Sequence, residues 1–242
     1  MPLIEPSCKE CTIEATATIR QAEAAPASSL NLPLLFWLFV VGSIAGLAIE
    51  TVYHAVVFGG YESRAGLVWG PFSPIYGTGA VVLTIMANRF TRVNAVAVFL
   101  VSALVGSGVE FATSWLMEVL FGAVAWDYSD TFGNIDGRVN LMFAVMWGTL
   151  GLVWTRLVMP LIDRVAGKID WEGSAVRVLS IASAIFMVLN VALTIQAFAR
   201  EGARADDLPP ATPIDHFLDE QFPSTWMQER FENMSIYGSN LR

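Results

Sequence analysis

From Leu34 to Ile49 the chain carries no charged side chain, and comparable apolar runs recur four more times before residue 200. About 20 consecutive apolar residues match the ~30 Å hydrocarbon core of a bilayer. In that core every backbone N–H and C=O must find a partner within the protein, so the runs read as membrane helices. Composition agrees: 15% of residues are charged, where a soluble domain has about 25%, and the mean hydropathy is +0.54.

The runs predict an all-α, polytopic membrane helical bundle of five helices over 33–199. The first reaches from Pro33 to Phe58, the second covers 67–88, the third Ala95–Phe121, the fourth Val139–Met159 with a stop at Pro160, and the fifth Ala175–Ala199. A polar segment, 1–32, precedes them. It has no apolar core before Leu32 and so is neither a signal nor a transit peptide. An acidic tail, 200–242, follows. Its Ile214, Phe217, Leu218 and Phe222 are spaced for a short amphipathic helix stopped by Pro223. That helix, with Trp226, Met227, Phe231 and Met234 beyond it, either packs on its own domain or docks a partner.

Five spans put the termini on opposite sides. Lys9, Arg20, Arg89, Arg92, Arg156, Arg164, Lys168 and Arg177 flank one side, against Arg64, Arg138, Arg200 and Arg204 on the other. Lys and Arg favour the cytoplasmic side, which predicts a cytoplasmic N-terminus.

The second run is interrupted by Gly66, Gly70, Pro71, Pro74, Gly77 and Gly79. Broken backbone at membrane depth survives only where protein or a polar cavity satisfies it, and transporters build binding sites in such segments. Ser73 is placed to cap a helix starting at Pro74, with an irregular, protein-covered leader before it.

Carboxylates also fall inside the runs. Gly42, Gly46, Glu50 and His54 share one face of the first helix at four-residue steps, and Ser102, Gly106, Glu110, Ser114 and Glu118 share one face of the third. Small residues let helices approach closely, so the two faces are expected to meet. At ~1.5 Å per residue, Glu50, Glu110 and Glu118 lie about 12, 17 and 5 Å from the same end of the bundle. Two readings stay open. Glu50 and Glu118 pair with Arg64 and Arg138 as structural locks, or the carboxylates line a pathway for a solute or ion.

The loop after the third run carries Asp127, Tyr128, Ser129, Asp130, Asp136 and Arg138, residues suited to turns or to the mouth of a site for a cation or polyol. The candidate pocket therefore gathers Glu50, Arg64, Pro71, Tyr76, Glu110, Glu118, Asp127, Tyr128, Asp136 and Arg138, with Gly42, Gly46, Ser102 and Gly106 as packing positions. An echo of Glu50, Arg64 and Trp69-Gly70 in Glu118, Arg138 and Trp147-Gly148 suggests a tandem duplication of a two-helix unit.

Other chemistries find little here. The net charge of -8 argues against nucleic acid. Cys8 and Cys11 form half a zinc site with no second pair, and His54 with Glu50 makes only two ligands, so no metal and no cofactor is implied. The chain has no nucleophile–base signature and no P-loop. An enzyme acting on lipid or envelope precursors through Asp127, Tyr128, Asp136 and Arg138 is thus the last choice.

Glu50, Arg64-Ala-Gly, Trp69-Gly-Pro-Phe-Ser-Pro-Ile-Tyr-Gly77, Trp115-Leu-Met-Glu118, Trp126-Asp-Tyr-Ser129, Asp136-Gly-Arg138 and Trp147-Gly148 recur in an order that resembles the bacterial ABC-transporter type IV permease family over residues 35–160. The resemblance implies a multi-pass protein of the bacterial cytoplasmic membrane with a transport role, and no particular substrate or catalytic residue. The partners it implies are the lipid bilayer, a separate ATPase subunit and a second copy of the chain. A scaffold whose tail binds a partner is the alternative.

Overall fold

The computed structural model describes residues 30–89, 94–232 and 234–236. The N-terminal segment with Cys8 and Cys11, and Arg92 of the second short loop, lie outside the described residues.

Helix α1, Leu32–His54, starts where Asn31 accepts a hydrogen bond from the Leu34 N–H at 2.8 Å. Pro33 sits in the first turn, where a missing N–H costs nothing. A π-helical turn, Ala55–Gly59, extends α1 to the left-handed pair Gly59 and Gly60. Residues 61–73 are not helical, and α2, Pro74–Arg89, follows. Its length of about 24 Å falls short of a ~30 Å hydrocarbon core. Helix α3, Ala95–Phe121, ends at Gly122 in the left-handed conformation (φ 60), and a two-residue strand β1, Ala123–Val124, comes next.

The fourth span runs as α4, Leu141–Val153, a π turn, Trp154–Val158, and α5, Met159–Ala166. Pro160 does not stop it, contrary to the sequence expectation. The wide turn closes through the Met159 N–H on the Trp154 carbonyl and leaves Pro160 in the first turn of α5, where no N–H is required. Helix α6, Ser174–Ala205, reaches past the predicted end at Ala199 and is about 48 Å long.

Four helical stretches are long and apolar enough to cross a membrane: Leu32–Gly59, Ala95–Leu120, Leu141–Ala166 and Ser174–Ala205. Together with the short α2 they form a polytopic helical bundle. At most 22% of the most apolar window of each stretch is buried, so the remaining apolar surface faces hydrocarbon. α1 packs chiefly on α2, and α3 on α4; α2 joins the two pairs through α3 and the π turn of the fourth span. The Trp154 indole N–H donates to Thr84 Oγ1 at 3.0 Å in that joint. α6 leans on α1 and α3.

The non-helical leader is satisfied by side chains from distant parts of the chain. Asn190 of α6 is fully buried, accepts from the Trp69 N–H at 3.1 Å and donates to the Trp69 carbonyl at 2.8 Å. Thr194, one turn on, accepts from the Val68 N–H at 3.0 Å. Arg230 donates to the carbonyls of Leu67 and Gly70. The Ser73 N–H reaches the Ser43 carbonyl of α1 at 3.2 Å, and the Ser73 carbonyl accepts the first helical N–H groups of α2.

The tail folds back over this leader. α7, Pro213–Gln221, opens on a reciprocal capping box between Thr212 and Asp215, and α8, Ser224–Arg230, follows. Leu218, Phe222, Met227 and Phe231 are buried with Val68, Ala123, Ala197 and Phe198 in one core. Strand β2, Ser235–Ile236, pairs antiparallel with β1. Arg200 and Arg204 at the end of α6 grip Asp219 at 2.6–2.8 Å. Of the two uses the sequence leaves open for the tail, its apolar edge takes the first and packs on its own domain. Ile214 and Phe217 stay exposed.

Two outcomes follow from these contacts. Asn190→Ala orphans the N–H and C=O of Trp69 and is expected to cost about 1–3 kcal/mol per group, seen as a lower unfolding temperature of the detergent-purified protein. The guanidinium of Arg200, with Arg204 behind it, holds the Asp219 carboxyl down at about 2. A folded-state pKa below the ordinary ~3.9 gives stability that is present above that value and lost as pH falls through about 2. Thermal melts in acid should show that loss, and Asp219→Asn should flatten it.

Candidate functional site

The two helix pairs are built alike. On α1, Phe39, Gly42 and Gly46 face Gly77, Ala80 and Tyr76 of α2; a Cβ on Gly46 would enter the Tyr76 ring, and one on Gly42 would strike Ala80. On α3, Phe99, Ser102 and Gly106 face Gly148, Gly151 and Trp147 of α4, and a Cβ on Gly106 would enter the Trp147 indole. Thr84 of α2 and Thr155 of the fourth span each donate back to the carbonyl four residues earlier, at 2.8 Å. The same small and aromatic residues thus interlock in the same order in both pairs.

This corrects two expectations. The small-residue faces of α1 and α3 do not meet; each is filled by the next helix in the chain, because Tyr76 and Trp147 need the gaps that glycine leaves. The duplication also has another register. Gly42, Gly46 and Glu50 correspond to Ser102, Gly106 and Glu110, so Glu50 matches Glu110 and not Glu118.

At the loop end of the bundle the polar residues form three groups. Arg64 lies 3.7 Å from Glu50 and 2.9 Å from Glu62, and Glu62 also meets His54 Nε2 at 2.6 Å. Arg138 pairs with Glu118, and with Asp136 at 2.8 Å, and its planar group lies over the Phe111 ring. Both arginines take a carboxylate from their own loop two residues back and one from the preceding helix.

Glu110 forms the third group. It is 5% exposed; Oε1 accepts from the Tyr128 hydroxyl at 3.1 Å and Oε2 from the Trp147 indole N–H at 3.3 Å. Among the described residues no cation is paired with it. Between Glu50 and Glu110 stand two tyrosines: Tyr76 lies beside Glu50, and Tyr128, stacked on Phe143, is hydrogen-bonded to Glu110.

The remaining candidates serve the loops. Asp127 accepts from the N–H and hydroxyl of Ser129 at 2.9 and 2.6 Å, which holds its carboxyl below the usual range and closes a turn. Asp136 (φ 55) and Gly137 (φ 64) make the left-handed corner that turns Arg138 inward, and the Arg138 carbonyl is held by the Trp126 indole at 2.8 Å. Pro71 is exposed on the leader. A cleft of about 530 Å³ opens elsewhere, between Phe132, Leu141, Met142, Val145 and Met146, and is apolar.

A profile of the family described as "Putative ABC-transporter type IV" matches residues 37–195. The chain belongs to that family. The match covers both helix pairs and α6 as far as Ile195. No curated protein and no solved structure matches the chain. Family and apolar spans together make this a membrane protein related to ABC transporters.

Sequence reasoning passed over Glu62, Asn190 and Thr194, and it named Trp147 in the repeat and the family motifs without placing it in the site. Trp147 had a legible signal, since it repeats the place of Tyr76 once the helices are registered on Gly46 and Gly106. Glu62 had one in its spacing to Arg64, the spacing of Asp136 to Arg138. Asn190 and Thr194 sit in an otherwise apolar helix with nothing nearby in sequence to name their partner.

The interlock makes a paired outcome measurable. Gly106→Ala drives a methyl into the Trp147 indole and should destabilise the purified protein by about 1–3 kcal/mol. Gly108→Ala, on the same helix with open space around it, should be neutral or stabilising by up to about 1 kcal/mol.

Proposed function

We propose that the chain is the membrane-spanning component of a transport system of the bacterial cytoplasmic membrane, driven by an ATPase carried on a separate subunit. Its working site is the polar cluster of Glu50, Arg64, Tyr76, Glu110, Glu118, Tyr128 and Arg138, reached from the loop end. The Lys and Arg distribution supports a cytoplasmic N-terminus, which turns the cluster outward. One observation carries the reading. Glu110 is buried at membrane depth and, among the described residues, held only by neutral donors, at a cost of several kcal/mol that packing alone does not require.

A second reading, a scaffold that transports nothing, draws support from the ion pairs of Glu50 and Glu118 and from the exposed Ile214 and Phe217 on α7. Deleting 205–242 does not separate the two, because that tail is part of the core. Point changes do. Under the transport reading Glu110→Gln and Glu50→Gln abolish uptake or resistance in cells while the protein inserts and accumulates normally. Under the scaffold reading they are silent, and Ile214→Asp with Phe217→Asp abolishes function.

A further inference from the structure

The repeat register gives Glu110 a reference within the same molecule. Its counterpart Glu50 has an arginine, Arg64, on the following loop. In the second unit the loop arginine, Arg138, is engaged two helical turns further out by Glu118. Glu110 keeps the glycine seam and the aromatic neighbour but not the cation. An isolated carboxylate about 17 Å from the helix end must be neutralised by whatever reaches it, and the Tyr128 and Trp147 N–H or O–H groups supply only partial positive charge. Both of its oxygens are already oriented, and Gly106 is filled by the indole. The geometry suits a ligand that needs no cavity.

Tyr128 supplies the route. Its neighbours Asp127, Ser129 and Asp130 are exposed on the loop, while its hydroxyl points inward to Glu110. A phenol both donates and accepts, so it can pass a proton without moving far. The other charged or titratable groups around it are Tyr76 of α2, Glu50 of α1 and Arg64 of the leader, each close enough to act on the Tyr128 or Tyr76 hydroxyl and none paired with Glu110. On α3 itself Glu118 is held by Arg138, and from α4 only the non-titrating Trp147 faces the carboxylate.

We propose that Glu110 is a proton-exchange site, loaded and unloaded from the loop end through Tyr128. In loading, the Tyr128 O–H proton passes to Glu110 Oε1 and the phenol oxygen takes a replacement proton from loop-side water. The net change is one proton taken up and a neutral carboxyl; unloading is the reverse. This deepens the transport reading and rests on its placing Glu110 in the working site, where a proton taken from one side couples a charge change to the helix joint.

The test uses dicyclohexylcarbodiimide, an apolar reagent that adds to protonated carboxyls in apolar surroundings and leaves a stable acylurea. The full-length protein in lipid nanodiscs is treated across about pH 5 to about pH 9, and the modified peptides are quantified by mass spectrometry. Glu110 should be modified at acid pH, with modification falling about tenfold per pH unit beyond its midpoint. Exposed Glu220 serves as an internal control and should stay unmodified. Tyr128→Phe removes one of the two hydrogen bonds and should displace the profile by about one pH unit. Trp147→Phe removes the other and should do the same, which keeps a readout if one variant misfolds. A Glu110 profile that is flat, absent, or unmoved by both variants overturns the proposal. A Glu110 profile that behaves as expected while Glu110→Gln leaves uptake or resistance in cells unchanged would instead count against the transport reading, so the two failures are distinguishable.

Discussion

The N–H and C=O groups of residues 66–70 have no helix to satisfy them, and the rest of the structure is arranged to do so. Asn190 closes both bonds of Trp69, Thr194 takes Val68, and Arg230 reaches the carbonyls of Leu67 and Gly70. α6 must therefore lie along the leader, and the tail must return over it from the far end of the chain. An unpaired backbone group in hydrocarbon costs several kcal/mol, more than any single packing contact near it. The short α2 and the core of Leu218, Phe222, Met227 and Phe231 are consequences of that requirement.

With the leader fixed, the two helical hairpins stand side by side, each closed by an aromatic ring set against a glycine. Neighbouring side chains close the seams at Gly42, Gly46, Gly106 and Gly148. The polar side chains at their loop ends accordingly have to satisfy one another. Two carboxylates do so with arginines drawn from the loops, and the loop acids Glu62 and Asp136 hold those arginines in place. Glu110 holds the place that Glu50 has in the first pair, but it is met by Tyr128 and Trp147 and not by the loop arginine, which Glu118 engages further along the helix. Within one duplicated plan, then, two carboxylates are ion-paired and the third is held by an O–H and an N–H donor.

Much of this was legible in the sequence. Uncharged runs of bilayer length predict the helices, Pro74 and the glycines before it mark where α2 begins, and arginines near the acids give the pairs Glu50–Arg64 and Glu118–Arg138 as one of two open readings, the pairs the structure contains. Less was legible where a rule of local structure meets a tertiary remedy. Pro160 reads as a stop, yet a π turn shifts it to a position that needs no N–H. Four-residue steps on α1 and α3 read as faces that meet, yet small residues specify only that something comes close, not which helix does.

The sequence by itself determined the class of protein, the presence of acids within its apolar runs and the break before α2, because hydrocarbon imposes the same demand on every backbone group whatever the neighbours are. Only the tertiary structure decided that Glu50 corresponds to Glu110, that the tail belongs to the core, and that Glu110 is held by a tyrosine and a tryptophan. Those facts depend on which distant segment fills which gap. Side-chain chemistry alone is degenerate there: Gly46 would accept any flat ring, and Asn190 any open peptide group.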